Sequence, residues 1–301
     1  MPFIFDIVID LRRQKMNNFI IMTDSTTDFD KEFYERTGVS HHPHGFIMEG
    51  REYKDRFWQD MKAEDYCAAI KKGVLVTTSM PEMHLIEEVA EKAFKEGKDA
   101  MYISFSAQLS GTFNVASMVA ADLMEKYPGR KMRVVDSRCA TQGQGILVEM
   151  AIAMRDAGKT VDEVAEVLDT ERDKIYHFFS VDDLMHLKRG GRLSATSAVM
   201  GTLIGIKPIL HMSDEGKLEA IAKVRGRHNA ISEVAGMVLE KKDETTDIVH
   251  VFHVGAPDVA DAVAEKLKAG GIGKVHIYQL GPCISAHLGA GGFGVLFHSE
   301  K

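Results

Sequence analysis

Short runs of apolar residues alternate with longer amphipathic segments between residues 18 and 172. Four of the apolar runs predict strands, and they are residues 19–23, 74–77, 99–105 and 131–136. Helical spacing of apolar positions predicts helices over residues 58–72, 112–126 and 145–157. This alternation favours a parallel sheet with helices on both faces. Ligands bind such sheets beyond the carboxyl ends of the strands, where Ser25, Thr78 and Ser110 fall.

The pattern changes after residue 173. Residues 207–213 and 217–225 flank a turn at residues 214–216, which predicts a hairpin and therefore antiparallel pairing. Further strands are predicted at residues 247–254, 274–279 and 293–298, with helices at residues 227–241 and 257–268. We therefore expect an α/β protein with a three-layer domain over residues 18–173 and a two-layer domain with a mixed sheet over residues 174–301. Residues 1–17 are interpreted as an N-terminal extension, with Met16 as an alternative start.

Composition narrows the class of protein. The chain has 301 residues and a formal charge of −7, and no block of Lys and Arg offers the footprint of a nucleic-acid binder. No apolar run reaches the roughly 18 residues that a membrane span requires. The three cysteines lie far apart, which is typical of buried thiols in a reducing compartment. We expect a cytoplasmic protein without a transmembrane segment or a nucleic-acid partner.

The segment with the clearest chemistry is residues 101–123. It predicts a buried strand, a Ser/Gly loop and a helix entered at residues 109–112. A helix N-terminus leaves backbone N–H groups unpaired and carries partial positive charge, so it suits an anion. The loop contains no Lys, Arg, Asp, Glu, His or Cys, which indicates binding of an anion without chemical change. Simple capping of the helix by Ser110 and Thr112 explains the same residues equally well.

Catalytic and metal sites have weaker support. Ser110 does not stand in a G-x-S-x-G elbow, because Gln108 replaces the first glycine. A serine-dependent acyl hydrolase that uses Ser110, with His287 as a candidate base, stays open as the alternative function. No G-x-G-x-x-G fingerprint lies between a predicted strand and a predicted helix, and no Walker motif occurs. The histidines at positions 41, 42 and 44 lack further ligands nearby, so they predict a loop that is solvated or lines a cleft, and no metal site.

Two loops carry unassigned polar groups. Residues 188–192 form a compact basic loop. The end of a helix accounts for residues 188–191, because Lys and Arg favour the dipole there and Gly stops the helix, but it accounts poorly for Arg192. The loop is therefore either a solvated helix end or a docking surface for an acidic or phosphate-bearing partner. Residues 281–292 read as a glycine-rich loop with one histidine, His287, that either contacts a carboxylate or has a structural role.

Eight short motifs occur in order along the chain. They lie at residues 22–27, 78–81, 109–112, 135–137, 181–184, 187–194, 206–209 and 287–292. Together they resemble the DegV family of bacterial fatty-acid-binding proteins over residues 18–298. The sequence departs from the family pattern at Met80, where the family has glutamine, and at Ala290, where it has proline.

The resemblance implies a two-domain fold that holds one long-chain fatty acid, such as palmitate, stearate or oleate. The acyl chain would lie in a buried tunnel, with the carboxylate at the domain junction. Carried over by motif, the carboxylate contacts are Thr78, Ser110 and His287. The head-group pocket would be lined by Ser79, Gly111 and Thr112. No cofactor is implied, and the protein would be a lipid-binding carrier rather than an enzyme.

Some family members present the bound acid to a separate fatty acid kinase. In those members the loop equivalent to residues 190–192 lies toward the kinase, so the resemblance predicts partner docking at Arg192. Burial of roughly 15 methylenes at about 0.8 kcal/mol each contributes about 12 kcal/mol before the costs of binding. Uncharged hydroxyls, backbone N–H groups and one histidine then need only satisfy the carboxylate.

Overall fold

The structure is a computed structural model that describes residues 19–193, 205–246 and 248–300. The predicted extension at residues 1–17 lies outside these ranges, as do Ser194 of the basic-loop motif and the first residue of the strand predicted at 247–254. No helix within the described ranges has both the length and the apolar character needed to cross a bilayer.

The first sheet contains four parallel strands in the order β2-β1-β6-β7. Their bounds are Phe19–Asp24 (β1), Ser40–His42 (β2), Asp99–Ser104 (β6) and Met132–Asp136 (β7). Ile21 packs against the helices on one face and Met22 against those on the other, because successive side chains of a strand point to opposite faces. The predicted parallel sheet with helices on both faces is confirmed.

Four long helices cover this sheet. They are Met83–Lys95 (α3) and Thr112–Lys126 (α4) on one face, and Gln142–Asp156 (α5) and Val161–Glu171 (α6) on the other. The shorter Lys31–Thr37 (α1) follows β1, and its side chains join the cluster beneath α5 and α6. The helix predicted over residues 112–126 has the bounds of α4, and the one predicted over 145–157 begins three residues earlier.

The strand predicted at residues 74–77 does not join the parallel sheet. It is Val76–Ser79 (β5), and it pairs antiparallel with Gly45–Met48 (β3), which pairs in turn with Arg51–Lys54 (β4). Thr77 and Ser79 of β5 are exposed, whereas the strands of a covered parallel sheet are apolar on both faces. The polar side chains of β5 therefore fit a small sheet with one open face.

The second sheet is mixed, with six strands in the order β10-β9-β8-β13-β11-β12. Their bounds are Ile175–Ser180 (β8), Ile206–Met212 (β9), Leu218–Arg225 (β10), Ile248–His253 (β11), Lys274–Gln279 (β12) and Phe293–His298 (β13). Strands β9 and β10 form the predicted antiparallel hairpin, and β11 pairs parallel with β12. The predicted mixed sheet is confirmed, whereas the division at residue 173 and the N-terminal extension stay predictions.

The two faces of the second sheet differ in what covers them. Helices Arg227–Lys241 (α8) and Pro257–Ala269 (α9) cover one face, where Phe178 and Val295 are buried. Phe179 and Leu296, the next residues along their strands, point to the other face. That inner face packs against three further helices, which are Ala63–Lys71 (α2), Met185–Arg189 (α7) and Pro282–Leu288 (α10).

Helix α10 replaces part of the predicted glycine-rich loop. Gly281 and Gly289 flank the helix, so the glycines mark its ends and leave its interior free of them. Pro282 occupies the first turn, where its missing N–H costs no helical hydrogen bond. Gly289 has φ of +78°, a backbone conformation that side chains rarely adopt. As a result His287 is held on the last turn of a short helix.

Candidate functional site

A cavity of ≈ 750 Å³, a volume that includes its mouth open to solvent, lies between the carboxyl ends of the first sheet and the inner face of the second. Most of its wall is apolar. Prominent lining side chains are Phe105, Leu109, Phe179, Phe252, Ile284 and Leu288. They come from the loop after β6, from β8 and β11, and from α10, so both sheets are needed to enclose the cavity. Its apolar wall suits a hydrophobic ligand.

Three polar side chains far apart in sequence meet at this cavity. Thr78 at the end of β5, Ser110 before α4 and His287 on α10 all line it. The hydroxyl of Thr78 lies 2.9 Å from Nε2 of His287, although the two residues are 209 positions apart. The structure therefore brings together the three residues that the resemblance singles out for a carboxylate, and their role as its contacts stays a prediction.

The three residues predicted for the head-group pocket surround this site without lining the cavity, and their role stays a prediction. Ser79 is exposed on the face of β5 opposite Thr78, as the alternation of a strand requires. Gly111 packs against Met80, because a Cβ added at residue 111 would be 2.6 Å from the sulfur of Met80. Thr112 is buried behind Ser110, and its hydroxyl lies 2.9 Å from the Ser110 hydroxyl. None of the three is among the residues that line the cavity.

His287 is held as a neutral ring. Burial lowers its pKa to about 4, and the nearby Arg192, His44 and His186 add to the shift. Gly190 lies against the other side of the ring, since a Cβ there would be 2.3 Å from Nδ1 of His287. Any side chain at residue 190 would therefore displace the ring. A neutral imidazole has one donor and one acceptor nitrogen, so its tautomer decides what it offers to Thr78 and to a ligand.

Arg192 lines the same cavity and is half-buried. Its Nε donates a hydrogen bond to the carbonyl of Leu109 at 2.9 Å, and Nη1 donates to the carbonyl of Gly190. Burial lowers the pKa of Arg192, but a guanidinium keeps its charge in proteins. A guanidinium therefore stands in the cavity wall beside the hydroxyls and the histidine that were expected to hold the carboxylate. Docking of a partner at Arg192 stays a prediction.

A further polar residue in the wall, His44, was not among the ligand contacts expected from the sequence. Its side chain is 5% exposed and lines the cavity, with Nε2 3.4 Å from the Thr112 hydroxyl. Its neighbour His42 points away, with Nδ1 3.0 Å from the carbonyl of Thr23. The cluster of histidines was visible in the sequence. Which of them faces the cavity depends on the path of the chain through β2 and β3.

A pair of buried carboxyl groups lies beside the start of α10. The backbone N–H of Gly281 donates to Oδ1 of Asp28 at 2.8 Å, and a Cβ on Gly281 would be 3.2 Å from Oδ2 of Asp55. Burial raises the pKa of Asp55 to about 7. Burial, followed by the charge of Asp55, raises the pKa of Asp28 well above its usual range. The pair therefore favours the protonated form near neutral pH.

We expect this burial to appear in the pH dependence of stability. The pKa of Asp55 is about 7 in the folded chain against an ordinary 3.8. The stabilising contribution of Asp55 to the free energy of unfolding is therefore fully present below pH 3.8 and is lost as the pH rises through about 7. The free energy of unfolding of the wild type should therefore fall, relative to that of Asp55→Asn, over this interval. Urea unfolding at several pH values measures the difference. Parallel pH profiles would contradict the assignment, and the exposed Asp60→Asn is the control.

One group in the described part of the chain has the spacing of a metal site, formed by Glu171, His298 and Glu300. Lys174 already lies 2.8 Å from a carboxylate oxygen of both glutamates. The ammonium of Lys174 supplies the positive charge there, so this cluster is an ion-pair network.

Comparisons with known proteins point to one family. The family model described as "Uncharacterised protein, DegV family" matches residues 18–300. A DegV domain-containing protein of Clostridium perfringens is 34% identical over 194 residues, which cover 64% of this chain and 67% of that protein.

Solved structures agree with the family model. A DegV family protein from Thermus thermophilus, described by its fatty acid binding, superposes with a TM-score of 0.82 at 28% identity and covers 94% of this chain and 99% of its own. A second structure is that of DegV from Bacillus subtilis, described as a fatty acid binding protein. It has a TM-score of 0.79 at 27% identity, with the same coverage of both chains.

Proposed function

We propose that this chain, which belongs to the DegV family, binds one long-chain fatty acid in the cavity between its two sheets. The observation that carries the proposal is that Thr78, Ser110 and His287 line one cavity whose wall is mostly apolar. An apolar wall with a few convergent polar groups suits an amphipathic ligand with one polar end. The fatty acid binding described for the relatives from Thermus thermophilus and Bacillus subtilis supports it.

The two parts of the ligand are held by different forces. Removal of the acyl chain from water drives binding, at about 0.8 kcal/mol for each buried methylene. The carboxylate needs donors, since burial of an unpaired charge costs several kcal/mol. Ser110 and Thr78 supply hydroxyl donors, and the guanidinium of Arg192 supplies the opposite charge.

His287 supports this arrangement through Thr78. If Nε2 of His287 carries the ring proton, it donates to Thr78, and the Thr78 hydroxyl is free to donate to the carboxylate. In the other tautomer the Thr78 hydroxyl donates its hydrogen bond to Nε2, so that only its lone pairs face the carboxylate. A bound carboxylate therefore selects the Nε2–H tautomer of His287.

The finer part of the proposal is presentation to a partner. Thr78, Ser110 and His287 are half-buried, so a carboxylate held by them would lie near the mouth of the cavity. Palmitate, stearate or oleate held in this way would offer its carboxylate to an enzyme such as a fatty acid kinase. The acyl chain would stay inside, which suits a carrier without a cofactor.

A titration tests the proposal. Palmitate, stearate and oleate should bind with a stoichiometry of one per chain, as followed by tryptophan fluorescence or calorimetry. Methyl palmitate keeps the chain and loses the charge, so it should bind at least about 10-fold more weakly. Equal affinity for the ester and the acid would contradict the assigned carboxylate site.

The second candidate function is a serine-dependent acyl hydrolase. The observation that favours it is the hydrogen-bonded connection from Ser110 through the Thr112 hydroxyl to His44, because this connection links the candidate nucleophile to a histidine. Hydrolysis of acyl esters that is lost in Ser110→Ala would establish this activity. Binding of the acid without any turnover of esters would support the carrier.

A further inference from the structure

A chain of polar side chains runs from Ser110 into the protein. The Ser110 and Thr112 hydroxyls are 2.9 Å apart, and the Thr112 hydroxyl is 3.4 Å from Nε2 of His44. On the other side of the ring, Nδ1 of His44 lies 3.9 Å from Oδ1 of Asp24 and has no nearer hydrogen-bond partner. Thr112, His44 and Asp24 are all at most 5% exposed. Ligand contact at Ser110 is thus connected to a buried histidine and a buried carboxyl group.

Asp24 forms the fixed end of this chain of groups. Its Oδ1 accepts from the backbone N–H of Thr26 at 3.0 Å and from the Thr26 hydroxyl. Its Oδ2 accepts from Nε2 of Gln144 at 3.4 Å. Asp24 is an acceptor in each of these bonds. The backbone N–H of His44 donates to the Ser25 hydroxyl at 3.1 Å, which fixes the ring beside Asp24.

His44 is neutral in this setting. Burial lowers its pKa, the charge of Asp24 opposes the shift and that of Arg192 adds to it. His287 also faces it from α10. A neutral ring has one proton, which lies either on Nδ1 toward Asp24 or on Nε2 toward Thr112.

The position of that proton decides what Ser110 offers. With the proton on Nε2, His44 donates to Thr112, Thr112 donates to Ser110, and the Ser110 proton points into the cavity. With the proton on Nδ1, the direction of every bond reverses, and Ser110 presents only lone pairs to the ligand. Only the first arrangement binds a carboxylate at Ser110.

We propose that His44 is a positioning residue that sets, through Thr112, the direction in which Ser110 points its hydroxyl proton. This inference rests on the proposed binding of a fatty acid. Asp24 attracts the ring proton to Nδ1, whereas a carboxylate in the cavity requires it on Nε2. A second proton on His44 satisfies both partners, so binding of the acid should be coupled to uptake of a proton. Affinity for the acid should therefore rise as the pH falls, in addition to any contribution from His287.

Four variants test the inference with palmitate as the probe. They are His44→Leu, Thr112→Val, the double variant, and His42→Leu as a control of equal type and burial that does not line the cavity. The dissociation constant is measured between about pH 6 and pH 8, across the range in which histidine titrates. The carboxyl chemical shift of palmitate labelled with ¹³C at C1 is followed in the same samples.

We expect His44→Leu and Thr112→Val each to weaken binding by about 10-fold, the loss of one hydrogen bond to a charged group. The double variant should be no weaker than either single variant, since both break the same connection. Both single variants should lose the part of the pH dependence that comes from His44, and their carboxyl shift should change. His42→Leu should retain wild-type affinity and pH dependence.

Several results would overturn the inference. One is a His44→Leu protein with wild-type affinity and pH profile, another is additive losses in the double variant, and a third is an equal loss in His42→Leu. If His44→Leu does not fold, Thr112→Val decides alone, because it keeps the shape of the side chain and an unchanged pH profile would refute the connection. Failure of the wild type to bind any long-chain acid refutes the proposed function itself, together with this inference.

Discussion

A chain with both Ser110→Ala and His287→Ala is expected to bind palmitate at least about 100-fold more weakly than the wild type while it keeps its fold. Ser110→Ala removes one predicted donor to the carboxylate, and His287→Ala removes a second predicted contact, whose Nε2 also lies 2.9 Å from the Thr78 hydroxyl. Each hydrogen bond to a charged group contributes about 1.5–3 kcal/mol, so two of them account for at least this factor. Calorimetric titration measures the loss of affinity, and circular dichroism verifies the fold.

The matched control is Ser79→Ala, a change of the same residue type on the exposed face of β5. It should bind palmitate with wild-type affinity, because the Ser79 side chain points away from the cavity. Unchanged affinity in the double variant would refute the assignment of the carboxylate to Ser110 and His287. A loss in Ser79→Ala as large as in the double variant would place the carboxylate on the other face of β5.

Gly294→Ala is expected to lower the free energy of unfolding by about 3 kcal/mol, the upper range for an overpacked core. Gly294 lies in β13, inside the second sheet. A Cβ there would be 2.4 Å from Cβ of Phe179, 2.6 Å from the ring of Phe252 and 2.8 Å from the backbone carbonyl of Phe178. The carbonyl belongs to the paired strand β8, so it has little room to move.

The effect should extend to the ligand, because Phe179 and Phe252 line the cavity. Rings displaced by the new methyl group narrow it, and the affinity for palmitate should fall together with stability. Gly236→Ala is the matched control, since no atom lies within 4 Å of a Cβ there and the position is inside α8. It should raise stability by about 0.5–1 kcal/mol. Urea unfolding compares the two, and a Gly294→Ala protein as stable as the wild type would contradict the packing described.

The layers of the fold could be predicted because their signals are local. Apolar runs such as residues 99–105 predict buried strands, and the turn at residues 214–216 predicts the β9–β10 hairpin that the structure contains. The place of β5 could not be predicted in this way. Its short apolar start resembles that of a buried strand, and only its pairing with β3 shows that it belongs to a separate sheet.

The site depends on contacts that periodicity does not encode. Thr78 and His287 meet across 209 positions, and only the order of the motifs, through the resemblance to DegV proteins, indicated that they belong together. Ser79 shows why a motif does not assign every side chain within it. A motif of consecutive residues includes side chains on both faces of a strand, so its neighbour Thr78 lines the cavity while Ser79 does not.

Long-range contacts place Arg192 and His44 at the cavity. Both are polar residues in segments that the sequence marked as unusual, a basic loop and a cluster of histidines. Their positions follow from long-range contacts, those of Arg192 with Leu109 and those of His44 with Thr112 and Asp24. The charge pattern left Arg192 open between a solvated helix end and a docking surface, and the fold places it in the wall of the cavity.

Identification of the ligand carried by the purified protein is the most direct test of fatty-acid binding. The protein is expressed in a bacterial host and purified without added lipid. It is then extracted with organic solvent, and the extract is analysed by mass spectrometry against a known amount of protein. We expect about one long-chain fatty acid per chain, and much less from the variant with Ser110→Ala and His287→Ala. Wild-type protein that is repeatedly free of fatty acid, and that does not bind palmitate, stearate or oleate when they are added, would contradict the proposed function.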